Sequence, residues 1–225
     1  ADGLAQYLVW KDWDEWVIVH GDHPSDVAKA EAYRAAARKF GADVEDMLVF
    51  EDTGGARRTD SGHVLVQRRI PAFMQEADDH DVVVVADESE VFGVYLPYRV
   101  WEPRPVAGDA GLRPSAWHPA HEGYGATQLQ RRFEALAGRR MTDLDYETWV
   151  ALRALGEAVT RTDGADPATV LEYLLSDAFE LAAFKGLPLS FRPWSRQLRQ
   201  AVLLGDARNV VSISPQEEFL HERTR

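Results

Sequence analysis

The chain has 225 residues, 45% of them hydrophobic and 28% charged, with a formal net charge of −12. That is ordinary globular composition for one large domain or two small ones, and its acidity argues against nucleic acid or an anionic membrane surface as a partner. Cysteine is absent, which excludes disulfides, thiolate nucleophiles, cysteine zinc sites and iron–sulfur clusters.

Residues 3–11 form a short apolar segment compatible with a helix, leading into the β-branched run Trp16-Val17-Ile18-Val19-His20, which stops at Gly21. Asp22-His23-Pro24-Ser25-Asp26 is a helix-start signal, with proline early and cap-forming side chains around it. The helix it opens carries Tyr33, Ala36, Ala37 and Phe40 on one stripe and meets Gly41 at its end. A second strand follows around residues 47–50, so the unit reads strand–helix–strand with a parallel pair. Residues 52–63 read as a polar loop and 64–77 as a helix that Pro71 must kink or divide. Residues 81–87 (DVVVVAD) are apolar on both faces, the signature of a central parallel strand covered on each side. Short strands are expected at 105–108 and 112–117, making residues 1–118 one α/β layered sheet. Helices follow at 123–136, 145–162 and 167–175, the last capped by Asp166. A β-meander over 187–192, 200–204 and 209–213 then precedes a polar, frayed tail beyond Pro215.

Common enzyme motifs fail: there is no dinucleotide GxGxxG after a strand, no Walker loop and no GxSxG elbow. His118 and His121 are three residues apart with Pro119 between them, whereas a zinc helix needs i, i+4 spacing; His118 reads instead as a polar wall residue. Asp78-Asp79-His80-Asp81 lacks the alternating ligands of a calcium loop and reads as a solvated turn. Asp87-Glu88-Ser89-Glu90 is placed at the carboxyl end of the central strand, where open α/β sheets bind ligands. Loop 21–26 lies at the matching end of the first strand, and the helix it opens offers free N–H groups to an anionic or polar group. The same residues serve equally as plain caps and turns. Trp10, Trp13 and Trp16 have the spacing of a packing stripe, while Trp117-His118, Tyr95, Tyr98 and Trp101 are packing residues or cleft walls.

Several longer segments carry a resemblance. The strand–loop–helix opening, DVVVVADE, DYETWVALRALGEAV and the run from Phe184 to Pro215 resemble the second lobe and C-terminal part of type I periplasmic substrate-binding proteins of the Leu/Ile/Val-binding kind. More narrowly, GLRPSAWH (111–118), WVALRALGEAVTRT (149–162), LSDAFELAAFKG (175–186), LSFRPW (189–194), QLRQ (197–200) and SPQEEFLHERT (214–224) are similar to the branch associated with PQQ-dependent alcohol oxidation. The resemblance implies an α/β fold with a parallel sheet flanked by helices, followed by a helical segment and a β-meander. It assigns 1–118 to the second lobe, 119–182 to a first lobe that is otherwise missing, and 183–225 to the return to the second lobe and hinge. It implies a periplasmic location, a leader no longer present, and a small polar ligand trapped between lobes that close by hinge motion. The partners implied are an ABC permease at the membrane and a PQQ-dependent dehydrogenase system, with no cofactor, metal or catalysis. Ligand-wall positions carried over are His23, Ser25 and Asp26 in the first loop, Asp87 and Glu88 at the strand end, and Trp117 and His118. Two alternatives stand beside this: an assembly or accessory protein of a periplasmic dehydrogenase, and a hydrolase-like enzyme using His118 or His121 with an acid.

Overall fold

The computed structural model describes residues 1–52, 60–164 and 166–219. The chain divides into two compact units, Ala1–Pro114 and Ser115–Arg225.

In the first unit, α1 (Asp2–Trp10), β1 (Glu15–Gly21), α2 (Pro24–Phe40), β2 (Asp43–Phe50), α3 (Asp60–Phe73), β3 (Val82–Ala86) and β4 (Val106–Gly108) follow in order. The four strands form one sheet in the order β2-β1-β3-β4, every pair parallel. Side chains alternate between faces, and because both faces are covered the central strands are apolar throughout. Val17, Val19, Val83 and Val85 point into a core with Phe50, Ile70 and Phe92 beneath α3. On the opposite face α2 packs against β1 and β3, and α1 packs on α2. The predicted stripe of α2 is the buried one: Tyr33, Ala36, Ala37 and Phe40. Gly41 ends the helix at φ 86°, a left-handed conformation that glycine adopts without steric penalty.

Three expectations are corrected here. Pro71 does not divide α3, which continues to Phe73 and tightens into a 3-10 turn at Met74–Glu76. Proline lacks an N–H, so the helix forgoes only the bond to the Gln67 carbonyl, close to its end, while Ile70 and Met74 keep the buried stripe continuous. The tryptophan stripe does not exist, because α1 stops at Trp10 and Asp12 takes a positive φ of 58°. Trp16 is fully buried and donates its Nε1–H to the Trp13 carbonyl at 2.7 Å, whereas Trp10 is 42% exposed. Finally, β5 (Arg113–Ser115) is not a strand of the parallel sheet, which ends at β4. Part of the expected loop 52–63 lies outside the described residues; of the rest, residues 60–63 already belong to α3.

The second unit contains α4 (Ala126–Ala137), α5 (Asp143–Arg161), α6 (Pro167–Leu175), β6 (Leu181–Ala182), β7 (Pro188–Phe191), β8 (Leu198–Arg199), β9 (Val202–Gly205) and β10 (Val210–Ser214). Thr142 and Asp145 close a reciprocal capping box at the start of α5, and Asp166 caps α6 through the Ala168 and Thr169 amides. The expected single meander is two separate pieces: β6-β7-β8 is one antiparallel ladder, and β9-β10 is a hairpin whose turn is held by Asp206 accepting from Arg208 and Asn209. The core gathers Trp117, Leu129, Met141, Tyr146, Phe179 and Leu189 around the inner face of α5. Past Pro215 a 3-10 turn covers Glu217–Phe219, and the rest of the expected tail lies outside the described residues.

Candidate functional site

The carboxyl ends of β1, β3 and β4 share one edge of the first unit's sheet, and α2 begins directly above β1. His23 is the N-cap of α2: its Nδ1 accepts from the Ser25 amide at 3.3 Å and lies 2.7 Å from Ser25 Oγ. Pro24 follows at the first helical position, where its missing N–H costs nothing. Asp26, in the first turn, is fully buried and folds back across the end of β1. A Cβ at Gly21 would stand 2.2 Å from Asp26 Oδ2, so only glycine leaves room for that carboxylate. Asp26 accepts from the Ser89 amide at 2.9 Å and from Ser89 Oγ at 2.6 Å, fastening the loop after β3 to α2.

Asp87 follows directly on β3 and is 5% exposed. Its two oxygens accept the amides of Val91 at 2.8 Å, Phe92 at 3.0 Å and Gly93 at 2.6 Å, which wraps loop 88–93 around the carboxylate. Burial pushes the Asp87 carboxyl up from its ordinary value, and the three amides from Gly93, Val91 and Phe92 pull only part of the way back. Its own amide donates to Asp109 Oδ2 at 2.8 Å. Lys29, one turn along α2 from Asp26, bridges Glu88 and Asp109. Burial draws the Lys29 ammonium down, but the hydrogen bonds and charges of Asp109 and Glu88 outweigh it and hold it above the usual lysine value. Two side chains of one helix turn therefore tie the loops after β3 and β4 into a fixed edge.

Of the sequence-derived candidates, His23, Ser25, Asp26, Asp87 and Glu88 come together on this edge. They divide by exposure: His23 and Glu88 are exposed and Ser25 is half-buried, whereas Asp26 and Asp87 are buried and hold the backbone in place. Trp117 and His118 belong to the second unit. Trp117 is buried, stacks on Tyr146 with ring centroids 4.9 Å apart, and donates Nε1–H to Gln130. His118 Nδ1 accepts from the Ala120 amide at 3.1 Å, so its proton is on Nε2, which donates to the Asp206 carbonyl at 2.8 Å. Neither ring nitrogen is left to act as a base. His121 points Nε2 at the Phe184 carbonyl, and burial lowers its pKa. Among the described residues no group of three or more histidine, aspartate or glutamate side chains is placed to hold a metal ion.

Sequence reasoning passed over Lys29 and Asp109 and gave Ser89 no role of its own. The signal for Lys29 was there, since it lies three residues from Asp26 on α2 and so on the same helix face. Asp109 follows a three-residue strand, too short to announce itself by periodicity. The second unit also has a groove of about 620 Å³ between α4 and α5, with Leu129, Phe133, Met141 and Trp149 along its floor and Arg132 and Arg153 at its rim.

No protein-family model matches the chain. No curated protein matches it either. Solved structures do. An ABC transporter substrate-binding protein from Sphaerobacter thermophilus superposes with a TM-score of 0.69 at 20% identity, covering 95% of this chain and 64% of its own. A branched-chain amino acid ABC transporter periplasmic ligand-binding protein from Burkholderia xenovorans LB400 gives 0.70 at 16% identity, covering 94% and 62%. An ABC transporter substrate-binding protein from Desulfitobacterium hafniense, in complex with Leu, gives 0.59 at 18% identity, covering 92% and 62%. The fold is thus that of the type I periplasmic binding proteins, a parallel sheet flanked by helices. The chain spans less than two thirds of the length of these structures.

Proposed function

We propose that this chain is the solute-binding component of an ABC uptake system, working in the periplasm by binding and not by catalysis, with a membrane permease as its partner. The observation that carries this reading is the likeness in fold over 95% and 94% of the chain to substrate-binding proteins. The proposed ligand is a small polar molecule of the amino acid class, since one of those structures is a branched-chain amino acid ABC transporter ligand-binding protein and another is a complex with Leu. The chemistry of the sheet edge supports that class. Glu88 and Asp109, paired with Lys29, would take a ligand ammonium in exchange for Lys29, and exposed His23 and half-buried Ser25 beside them offer further polar groups. Ligand contacts are proposed at His23, Ser25 and Glu88, with Asp26 and Asp87 behind them; Trp117, in the core of the second unit, and His118, with both ring nitrogens engaged, are not among them. The link to PQQ-dependent alcohol oxidation is a further proposal and rests on the sequence resemblance alone.

Helices 119–182 are proposed to belong to a first lobe, with 183–225 returning to the second lobe and hinge. An apolar outer face on α5 supports this: Leu144, Leu152, Leu155 and Val159 are 73%, 66%, 49% and 40% exposed, on the side away from buried Tyr146, Val150 and Ala154. A helix apolar on two sides is suited to packing between two layers.

Thermal unfolding of the full chain against the twenty amino acids, and against small alcohols and their acids, tests the reading. A ligand at 100 times its Kd stabilises the folded state by about 2.7 kcal/mol. The expected result is a rise of several degrees with at least one amino acid, diminished by Glu88→Gln. If no solute of either panel moves the midpoint by more than about 1 °C, the solute-binding reading of this chain fails.

A further inference from the structure

Among the described residues of the second unit, one lysine or arginine side chain is buried. Lys185, between β6 and β7, is 1% exposed. Its Nζ donates to the Ala116 carbonyl at 2.9 Å and to Gln200 Oε1 at 2.7 Å, and it stands 4.5 Å from the centroid of the Tyr146 ring. These partners are all neutral. The opposite charges that act on it are Asp143 and Glu147 on α5. Asp143 is engaged elsewhere: its Oδ1 accepts the Trp117 amide at 2.7 Å.

The Ala116 carbonyl and the Trp117 amide are the two ends of a single peptide group. An ammonium therefore grips its acceptor end and a carboxylate its donor end. Each is a charge-assisted hydrogen bond, and each polarises the amide in the sense that strengthens the other. The grip holds the chain as the second unit begins, just ahead of Trp117, which stacks on Tyr146 in the core.

We propose that Lys185 and Asp143 form a proton-controlled latch on the peptide joining Ala116 to Trp117, closed when the Lys185 amine is charged and loosened when it is neutral. The groups facing it decide where it switches. Asp143 and Glu147 from α5 favour the charged form, whereas burial opposes it. His121, from the segment before α4, feels the Lys185 charge as repulsion, and Tyr146 and Gln200 contribute dipoles without charge. Burial dominates and brings Lys185 down to about 7, so the latch changes state near neutrality. The other three lysines, Lys11, Lys29 and Lys39, are exposed or half-buried and lack this environment. The proposal is independent of the solute-binding reading.

The test is a pH titration of the full-length wild-type chain with ¹³C-labelled lysine, following the four Cε resonances and the Trp117 amide by NMR from pH 5 to 11. One Cε resonance should titrate two or more pH units below the other three, and the Trp117 amide should shift with the same midpoint. Lys185→Met should remove both transitions, and Asp143→Asn should lower the shared midpoint. Titration of all four lysines together above pH 9.5 overturns the proposal. So does a Trp117 amide that stays still through the Lys185 midpoint. Because the wild-type titration alone can refute it, the proposal stays testable even if Lys185→Met does not fold.

Discussion

Replacing Asp87 by asparagine tests whether the edge of the first unit is built as described. Asp87 gives two acceptor oxygens to three amides, with Oδ1 taking Val91 and Oδ2 taking Phe92 and Gly93. Asparagine keeps one oxygen and puts an NH₂ where the other stood, so one or two of these buried amides lose their acceptor and face another donor. An unsatisfied buried donor costs about 1–3 kcal/mol. The neutral side chain returns part of this, because burial already penalises the Asp87 charge. The net expectation is a loss of about 2–4 kcal/mol, which for a chain of this size lowers Tm by roughly 5–15 °C. Urea denaturation followed by circular dichroism measures the loss, and amide exchange locates it. Exchange at residues 91–93 should speed up by on the order of 100-fold, with far smaller changes in the second unit. A loss below about 1 kcal/mol, or unchanged exchange at those three amides, would show that the carboxylate does not organise the loop.

Ser89→Ala removes the hydroxyl hydrogen bond to the buried Asp26 carboxylate while leaving the Ser89 amide on Asp26. It should cost about 1–2 kcal/mol in urea titration and leave the second unit's exchange pattern intact. Thr142→Ala deletes the side-chain acceptor of the α5 capping box and should cost about 1 kcal/mol, read as a lower midpoint by tryptophan fluorescence. Alkaline pH should unfold the protein. Burial raises the phenols of Tyr33 and Tyr146 above the ordinary value of 10, so the unfolded chain gives up its protons first. Their stabilising contribution is whole below pH 10 and falls above it by up to about 1.4 kcal/mol per pH unit for each phenol. The share of phenolate absorbance owed to Tyr33 and Tyr146, two of the seven tyrosines, should therefore appear together with loss of circular dichroism, and not before it.

Local rules carried far along this chain. The run Val82 to Val85 announced a buried parallel strand, Pro24 and Gly41 bracketed α2, and Asp166 marked the start of α6, because each of these signals acts within a few residues of itself. The same rules failed where a residue's fate depends on distant partners. Pro71 does not divide α3, since Ile70 and Met74 bind the helix to the core on either side of it. Trp10 and Trp16 share a spacing but not a face, because the chain turns at Asp12. The sequence by itself determined a parallel α/β unit and the convergence of two polar strand ends, His23–Ser25–Asp26 and Asp87–Glu88, on one edge. Only the tertiary structure decided which of these face outward. Asp26 and Asp87 turn inward to satisfy amides that folding would otherwise strand without acceptors, and Lys29, far along α2 in sequence from Glu88 and Asp109, closes the edge between them. Hydrogen-bond demand and charge pairing across dozens of residues set that division, and no pattern along the chain encodes it.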